Sequence, residues 1–287
     1  MDNALCIKSL TKEFEGFKLD NITMNVPKGS IMGLIGENGA GKTTIIKCIL
    51  GVINKDSGNI SVMGNDIDDK DNSYKENLGV VFDENSFNEL YNAKDVNKIF
   101  KGIYKNWDEN QFFNYIDNFN IDFKKKIKDY SRGMKTKLAL AVAMSHNAKF
   151  LILDEAMSGL DPVIRNEILD IFMDFIQNEE NSILISSHIT GDLEKICDYI
   201  TFIHEGKIFA SRNKDMFIEE YGILKCGSDD INCIDKNDIV SIRKNSFGAE
   251  ILVDKKYKMK EKYKDFIIDN VTLEDIMMFV IKGEKLW

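Results

Sequence analysis

The run Gly36-Glu-Asn-Gly-Ala-Gly41-Lys42-Thr43 has the spacing G-x-x-x-x-G-K-[ST]. Its chemistry is the capture of a polyphosphate. Gly36, Gly39 and Gly41 let the backbone approach closely and take dihedrals closed to other residues. With Glu37, Asn38, Ala40 and Thr44 they make a loop whose successive N–H groups, from Asn38 to Thr44, form a nest for an anion. A helix starting at Lys42 adds roughly half a positive charge at its N-terminus. The Lys42 ammonium can reach β- and γ-phosphates, and the Thr43 hydroxyl can coordinate Mg2+.

Farther along, Phe150-Leu-Ile-Leu153 runs into Asp154-Glu155. An apolar strand ending in two acids is by itself also a plain strand end. Behind a phosphate loop, it sets carboxylates at the sheet edge where ligands of open α/β folds bind. Asp154 would hold Mg2+ or its water, and Glu155 would polarise an attacking water as general base. Ser158-Gly159-Leu160-Asp161-Pro162 follows, a turn into a proline-started helix.

These residues need elements to carry them. Ile22, Met24 and Val26 alternate with polar residues, which predicts a half-buried strand. A Pro27-Lys28-Gly29 turn separates it from the apolar run Ile31–Ile35, a buried strand. Residues 42–50 carry apolar positions at helical spacing and stop at Gly51. From about 84 to 146 the pattern is helical, with aromatics at Phe100, Tyr104, Phe112, Phe113 and Tyr115 expected to pack in a core. Strands return at 150–153 and 182–185, with helices at 163–177 and 190–197. Strands alternating with helices predict a mainly parallel sheet, and the helical block reads as an insertion. After Ser211 the composition shifts. Residues 239–242 and 249–253 read as short strands, and 272–281 as a last helix capped by Thr272 and stopped by Gly283.

Composition bounds the partners. The chain has 287 residues, 44% hydrophobic and 30% charged, which suits a globular protein with a real core. A net charge of −9 repels phosphate backbones and excludes free nucleic acid as a partner. The one basic run, residues 123–128, reads as a solvated helix face. The five cysteines, without a Cys-x-x-Cys pair, suit a reduced cytosolic chain with neither a structural zinc nor a disulfide between Cys226 and Cys233. The N-terminus does not read as a signal peptide. The longest apolar run, residues 138–144, falls far short of the about 20 residues of a membrane span.

The order of these motifs resembles the ABC ATPase family over residues 1–211. Tyr130-Ser131-Arg132-Gly133-Met134 is similar to a divergent form of that family's Leu-Ser-Gly-Gly-Gln signature, of the kind carried by a bacterial ABC-2-type exporter branch. Ser158, Gly159, Leu160 and Asp161 resemble its D-loop, and Ser186-Ser187-His188 its switch histidine. Phe14 stands where an aromatic stacks on adenine. The resemblance implies an α/β fold: a P-loop NTPase core with a mainly parallel sheet, an N-terminal antiparallel β subdomain, an inserted helical subdomain at about 84–146, and a small α/β C-terminal extension. It divides the chain into an ABC ATPase domain, 1–212, and an accessory domain, 213–287, taken as a packing addition rather than a regulatory module.

It also implies function. The chain would be the ATP-binding, ATP-hydrolysing subunit of an ABC transporter, peripheral on the cytoplasmic face of the cell membrane beside a separate transmembrane permease. Two ATPase subunits, identical or different, would close head to tail on two ATP. Ser131, Arg132, Gly133 and Met134 of one would meet the γ-phosphate held by the other, and His188 would contact its own subunit's γ-phosphate and orient Glu155. His146 and His204 lack such a position and read as packing or surface residues.

The alternative is a soluble ABC ATPase driving a non-transport assembly, such as iron–sulfur delivery. The helical block is too short for the coiled coils of chromosome-maintenance relatives. A single phosphate loop excludes the two-domain translation factors, and Lys42, Glu155 and His188 argue against an inert module.

One departure from the family pattern is the Arg132 and Met134 of the signature. Another is Asp83, where a glutamine is expected after Leu78-Gly-Val-Val-Phe82. A carboxylate about 4 Å from a phosphate charge costs about 4 kcal/mol at an effective dielectric near 20. Asp83 must therefore lie against Mg2+ or point away, and a magnesium contact is the expectation.

Overall fold

The computed structural model describes residues 2–69, 72–83, 87–246 and 248–284. In chain order the first elements are β1 (Asn3–Phe14), β2 (Phe17–Pro27), β3 (Ile31–Ile35), α1 (Lys42–Ile49), β4 (Ser57–Val62), β5 (Asn65–Asp66) and β6 (Leu78–Phe82). Three helices follow, α2 (Ala93–Lys101), α3 (Glu109–Asn118) and α4 (Arg132–Met144). Then come β7 (Phe150–Asp154), α5 (Pro162–Ile176), β8 (Ser182–Ser187), α6 (Thr190–Ile196), β9 (Tyr199–His204) and β10 (Lys207–Asn213). The chain continues with α7 (Lys214–Glu220), β11 (Gly222–Cys226), β12 (Ser241–Asn245), β13 (Gly248–Val253), α8 (Lys256–Lys262), β14 (Ile267–Asp269) and α9 (Leu273–Lys282).

The central sheet has the order β10-β9-β3-β8-β7-β6. Neighbours from β9 to β6 pair in parallel, and only β10 runs antiparallel. Its inner strands β3, β7 and β8 are short and buried throughout because both faces are covered. Side chains alternate between the faces. Ile31, Ile35, Leu151, Leu153, Ile183 and Ile185 meet α4, α5 and α6 on one side. Met32, Leu34, Phe150, Ile152 and Leu184 meet α1 and the N-terminal sheet on the other. That antiparallel sheet, β2-β1-β4-β5, keeps one face wet. Hence Ile22, Met24 and Val26 are buried while Asn21, Thr23 and Asn25 between them are exposed.

The helices α2, α3 and α4 form the insertion between β6 and β7, around a core of their own that includes Val96, Phe112, Ile116 and Leu138. Of the predicted aromatics only Phe112 is buried; Phe100, Phe113 and Tyr115 pack half-buried against that core, and Phe100 stacks on Trp107 with ring centroids 5.8 Å apart. The segment 123–128 is not the helix face predicted for it. It is a turn followed by a short 3-10 turn at Ile127–Asp129, closed by the Tyr130 hydroxyl donating to the Asp122 carbonyl at 3.0 Å. Buried Ile127 fixes its path, and Lys124, Lys125, Lys126 and Lys128 are exposed.

His146 ties this insertion to the sheet. Its ring stacks on Tyr104 with centroids 3.8 Å apart, and Nε2 lies 2.9 Å from the Leu78 carbonyl oxygen. Burial holds its pKa below the usual imidazole range, although the Leu78 and Val142 carbonyls pull the other way. In the unfolded chain the group takes up its proton near pH 6.5. Below that pH the unfolded state binds more protons, so this contribution to stability, complete above pH 6.5, is lost on acidification. The melting temperature should fall from pH 7.5 to 5, and fall less in His146→Gln. Equal falls in the two proteins would remove this role.

The last sheet, β12-β13-β11-β14, is antiparallel throughout. The strand predicted at 239–242 begins only at Ser241, because a 3-10 turn at Lys236–Asp238 occupies the approach. The final helix starts as expected. The Thr272 hydroxyl accepts from the Asp275 N–H at 3.1 Å, and the Asp275 carboxylate accepts from the Thr272 N–H at 2.9 Å. Ile276 and Phe279 of α9 share one apolar cluster with Ile200 and Phe202 of β9, so this sheet is packed onto the central one. All five cysteines are unpaired, and no helix among the described residues is long and apolar enough to cross a membrane.

Candidate functional site

Strand register brings the predicted residues together. Ile35 pairs with Ser187, Asp154 with Ser186, and Phe82 with Asp154. The residues after these pairs, Gly36, His188, Glu155 and Asp83, therefore leave adjacent strands at one carboxyl edge.

The phosphate loop turns from β3 into α1 through Gly39 at φ 84° and Gly41 at φ 115°, conformations that glycine adopts without cost. A Cβ at Gly41 would also sit 2.5 Å from Leu19 Cδ2, so the loop is pressed onto the N-terminal sheet. Lys42 is 5% exposed, an unusual place for an ammonium. It donates to the carbonyls of Gly36 at 2.7 Å and Glu37 at 3.1 Å, and its Nζ lies 3.4 Å from Glu155 Oε1. A cavity of about 420 Å3 opens over the loop, lined by Asn38, Gly39, Gly41, Lys42, Thr43, Thr44, Glu155 and Phe17.

Glu155 holds a left-handed backbone, φ 52°, which is costly for a residue with a side chain. Its N–H donates to Ser186 Oγ at 3.1 Å, and that hydroxyl donates to Asp154 Oδ1 at 2.6 Å. One carboxylate oxygen, Oε2, lies 2.8 Å from His188 Nδ1. The other, Oε1, is buried with no hydrogen-bond partner among the described residues, and the Lys42 ammonium lies 3.4 Å from it. A buried acceptor held unpaired is a place where a proton donor such as water is wanted.

Thr43 on α1 and buried Asp154 on β7 offer two hard oxygens. Such a pair suits Mg2+, which takes few protein ligands and fills its shell with phosphate oxygens and water. No cluster of three acidic, His or Cys side chains that could hold a metal without a substrate occurs among the described residues. The donor set therefore fits a metal that arrives with a polyphosphate.

The signature serine caps α4. Ser131 Oγ accepts from the Met134 N–H at 3.2 Å. Tyr130 before it is anchored, with burial pushing its pKa up to about 12. A Cβ at Gly133 would lie 2.7 Å from Ile164 Cγ2, so the glycine permits close packing on α5. Asp161 caps α5, accepting from Val163 and Ile164 at 3.1 Å, and the Ser158 N–H donates to the Glu155 carbonyl at 2.9 Å. Leu160 is buried at this turn. None of Ser131, Arg132, Gly133 and Met134 lines the cavity over the phosphate loop.

Three placements were not foreseen. Phe17, across the hairpin from Phe14, lines both the cavity over the loop and a neighbouring one at Glu37, Asn38 and Gly39. Phe14 is 41% exposed, with Lys12 Nζ 5.4 Å from its ring centre. The facing of positions 14 and 17 about Glu15-Gly16 is a hairpin signal that could have pointed to Phe17. His204, read as a packing or surface residue, stands beside the loop with Nδ1 2.8 Å from Glu37 Oε1. Asp83, expected against Mg2+, forms an ion pair with Arg132.

The family model described as ABC transporter matches residues 19–158. The chain is 36% identical to the lantibiotic transport ATP-binding protein SrtF of Streptococcus pyogenes, over 69% of this chain and 85% of that one. It is 28% identical to the ABC transporter ATP-binding protein YtrB of Bacillus subtilis, over 98% and 99%. Among solved structures, cbiO1 of Clostridium perfringens, part of the ABC transporter complex cbiONQ, superposes with a TM-score of 0.67 at 27% identity, covering 76% of this chain and 92% of that one.

Proposed function

We propose, because this chain belongs to the family of ABC transporter ATP-binding proteins, that the phosphate loop, Glu155 and His188 together hydrolyse ATP. The chain is the ATP-binding subunit of an ABC transporter, and ATP hydrolysis is its activity. The observation that carries the site assignment is the placing of Glu155 between Lys42, at 3.4 Å, and His188, at 2.8 Å.

The chemistry follows from those contacts. ATP brings phosphate oxygens that compete for the Lys42 ammonium, drawing it from Glu155 and from its own loop carbonyls. Glu155 Oε1 is then free to accept a proton from the attacking water. His188 donates through Nδ1 to Glu155 Oε2, which keeps that carboxylate aimed. Magnesium, when bound, neutralises charge on the phosphate oxygens, and Thr43 and Asp154 would hold it.

The serine-led helix that would cap the γ-phosphate stands away from this subunit's own cavity. We therefore assign Ser131 and Gly133 to a nucleotide held by a second ATPase subunit, packed head to tail. ATP favours the closed pair because it makes contacts there that it lacks in a single subunit. Membrane passage belongs to a separate permease, with this chain peripheral on its cytoplasmic side. We assign residues 1–212 to the ATPase and 213–287 to an accessory unit. The similarity to a lantibiotic transport protein supports a transport role over the soluble-assembly alternative.

Detergent extraction of cells carrying tagged chain tests this role. An integral membrane protein of about six spans should co-purify with it. If none does, with or without ATP, the soluble-assembly alternative takes its place.

A further inference from the structure

Two departures from the family pattern meet each other in space. Asp83 stands where a glutamine is expected and Arg132 where a glycine is expected; they lie 49 residues apart, and their side chains form an ion pair. The register places Asp83 one residue past the partner of Asp154, at the edge that carries Glu155. The same guanidinium lies over the backbone of Gly159. A Cβ there would be 2.6 Å from Arg132 Nη1 and 3.0 Å from Cζ, so a side chain at this position would push the guanidinium aside. Arg132 thus bridges the end of β6, the start of α4 and the turn before α5.

We infer that Arg132 is a positioning residue that neutralises Asp83 and holds its carboxylate away from the triphosphate, so that the two departures act as one compensated unit. This rests on the reading that the phosphate loop binds ATP. A bare carboxylate at this edge repels the phosphates. A paired one, drawn towards α4 and Gly159, does not. Both side chains are nearly half exposed, at 42% and 49%, so the repulsion released by breaking the pair is partly screened and depends on salt. The arrangement accounts for a carboxylate at a position where it would otherwise weaken nucleotide binding. It also makes a magnesium contact unnecessary to explain Asp83.

The test measures binding of a fluorescent ATP analogue with Mg2+ to the purified full chain. Arg132→Gly restores the residue the family pattern expects, yet it should weaken binding about five- to tenfold at 50 mM salt, and less at 500 mM. Adding Asp83→Gln to it should recover most of that loss. Arg132→Lys, which keeps the charge but not the planar fork, should fall between parent and Arg132→Gly. Normal affinity in Arg132→Gly, or a loss that Asp83→Gln does not relieve, overturns the inference. So does a shifted Mg2+ requirement in Asp83→Gln alone, which would make Asp83 a metal contact instead. If the parent itself binds no analogue, the ATP-site reading falls first and this inference with it.

Discussion

Replacing Glu155 by glutamine is expected to slow ATP turnover by about 10²–10⁴-fold while leaving nucleotide binding intact. The amide keeps the shape of the side chain and can still meet His188. It cannot take a proton from water, and it removes the negative charge now 3.4 Å from Lys42. ATP should therefore bind at least as well as to the parent, because Lys42 no longer has a carboxylate to leave. The bound, unhydrolysed nucleotide should hold two subunits together long enough to appear as a dimer in size-exclusion chromatography. Steady-state phosphate release and nucleotide affinity, measured on one preparation, separate the two effects. Turnover in Glu155→Gln within tenfold of the parent would remove the general-base assignment and leave His188 without a partner to orient.

Lys42→Ala should act on binding rather than on the chemical step alone. The ammonium is buried and donates to two carbonyls of its own loop, so it is held ready for phosphates before they arrive. Hydrogen bonds to charged groups contribute about 1.5–3 kcal/mol. Losing them to the β- and γ-phosphates should weaken ATP about 10–100-fold and weaken ADP less, because ADP lacks the γ-phosphate. Calorimetric titration of the two nucleotides checks this. Equal losses for both would place Lys42 on the β-phosphate only, and no loss would move the triphosphate out of the loop.

Much of this is legible in the linear chain. The phosphate loop is local in sequence: its glycines, lysine and threonine sit within eight residues, and their neighbours carry clear strand and helix periodicity. The same holds for the apolar run before Asp154-Glu155 and for the capping box at Thr272. What stayed hidden depends on pairing between distant segments. Register decides that Asp83 leaves the sheet beside Glu155, and no local pattern states a register. The Asp83–Arg132 pair joins two residues that each depart from the family pattern, and only the packing of α4 on the sheet brings them together. His204 reaches Glu37 because β9 lies next to β3, an order that connection lengths do not reveal. The lysines at 124–128 satisfy a charge pattern without a helix, because Ile127 and Tyr130 fix that segment by burial.

Photocleavage with vanadate tests the head-to-tail site most directly. Vanadate trapped with MgADP takes the place of the γ-phosphate, and irradiation breaks the backbone at the groups touching it. Two breaks in the chain are expected, one at the phosphate loop around Lys42 and one at Ser131, both lost in Lys42→Ala. Cleavage at the loop alone, in preparations that hydrolyse ATP, would contradict a γ-phosphate shared between two subunits.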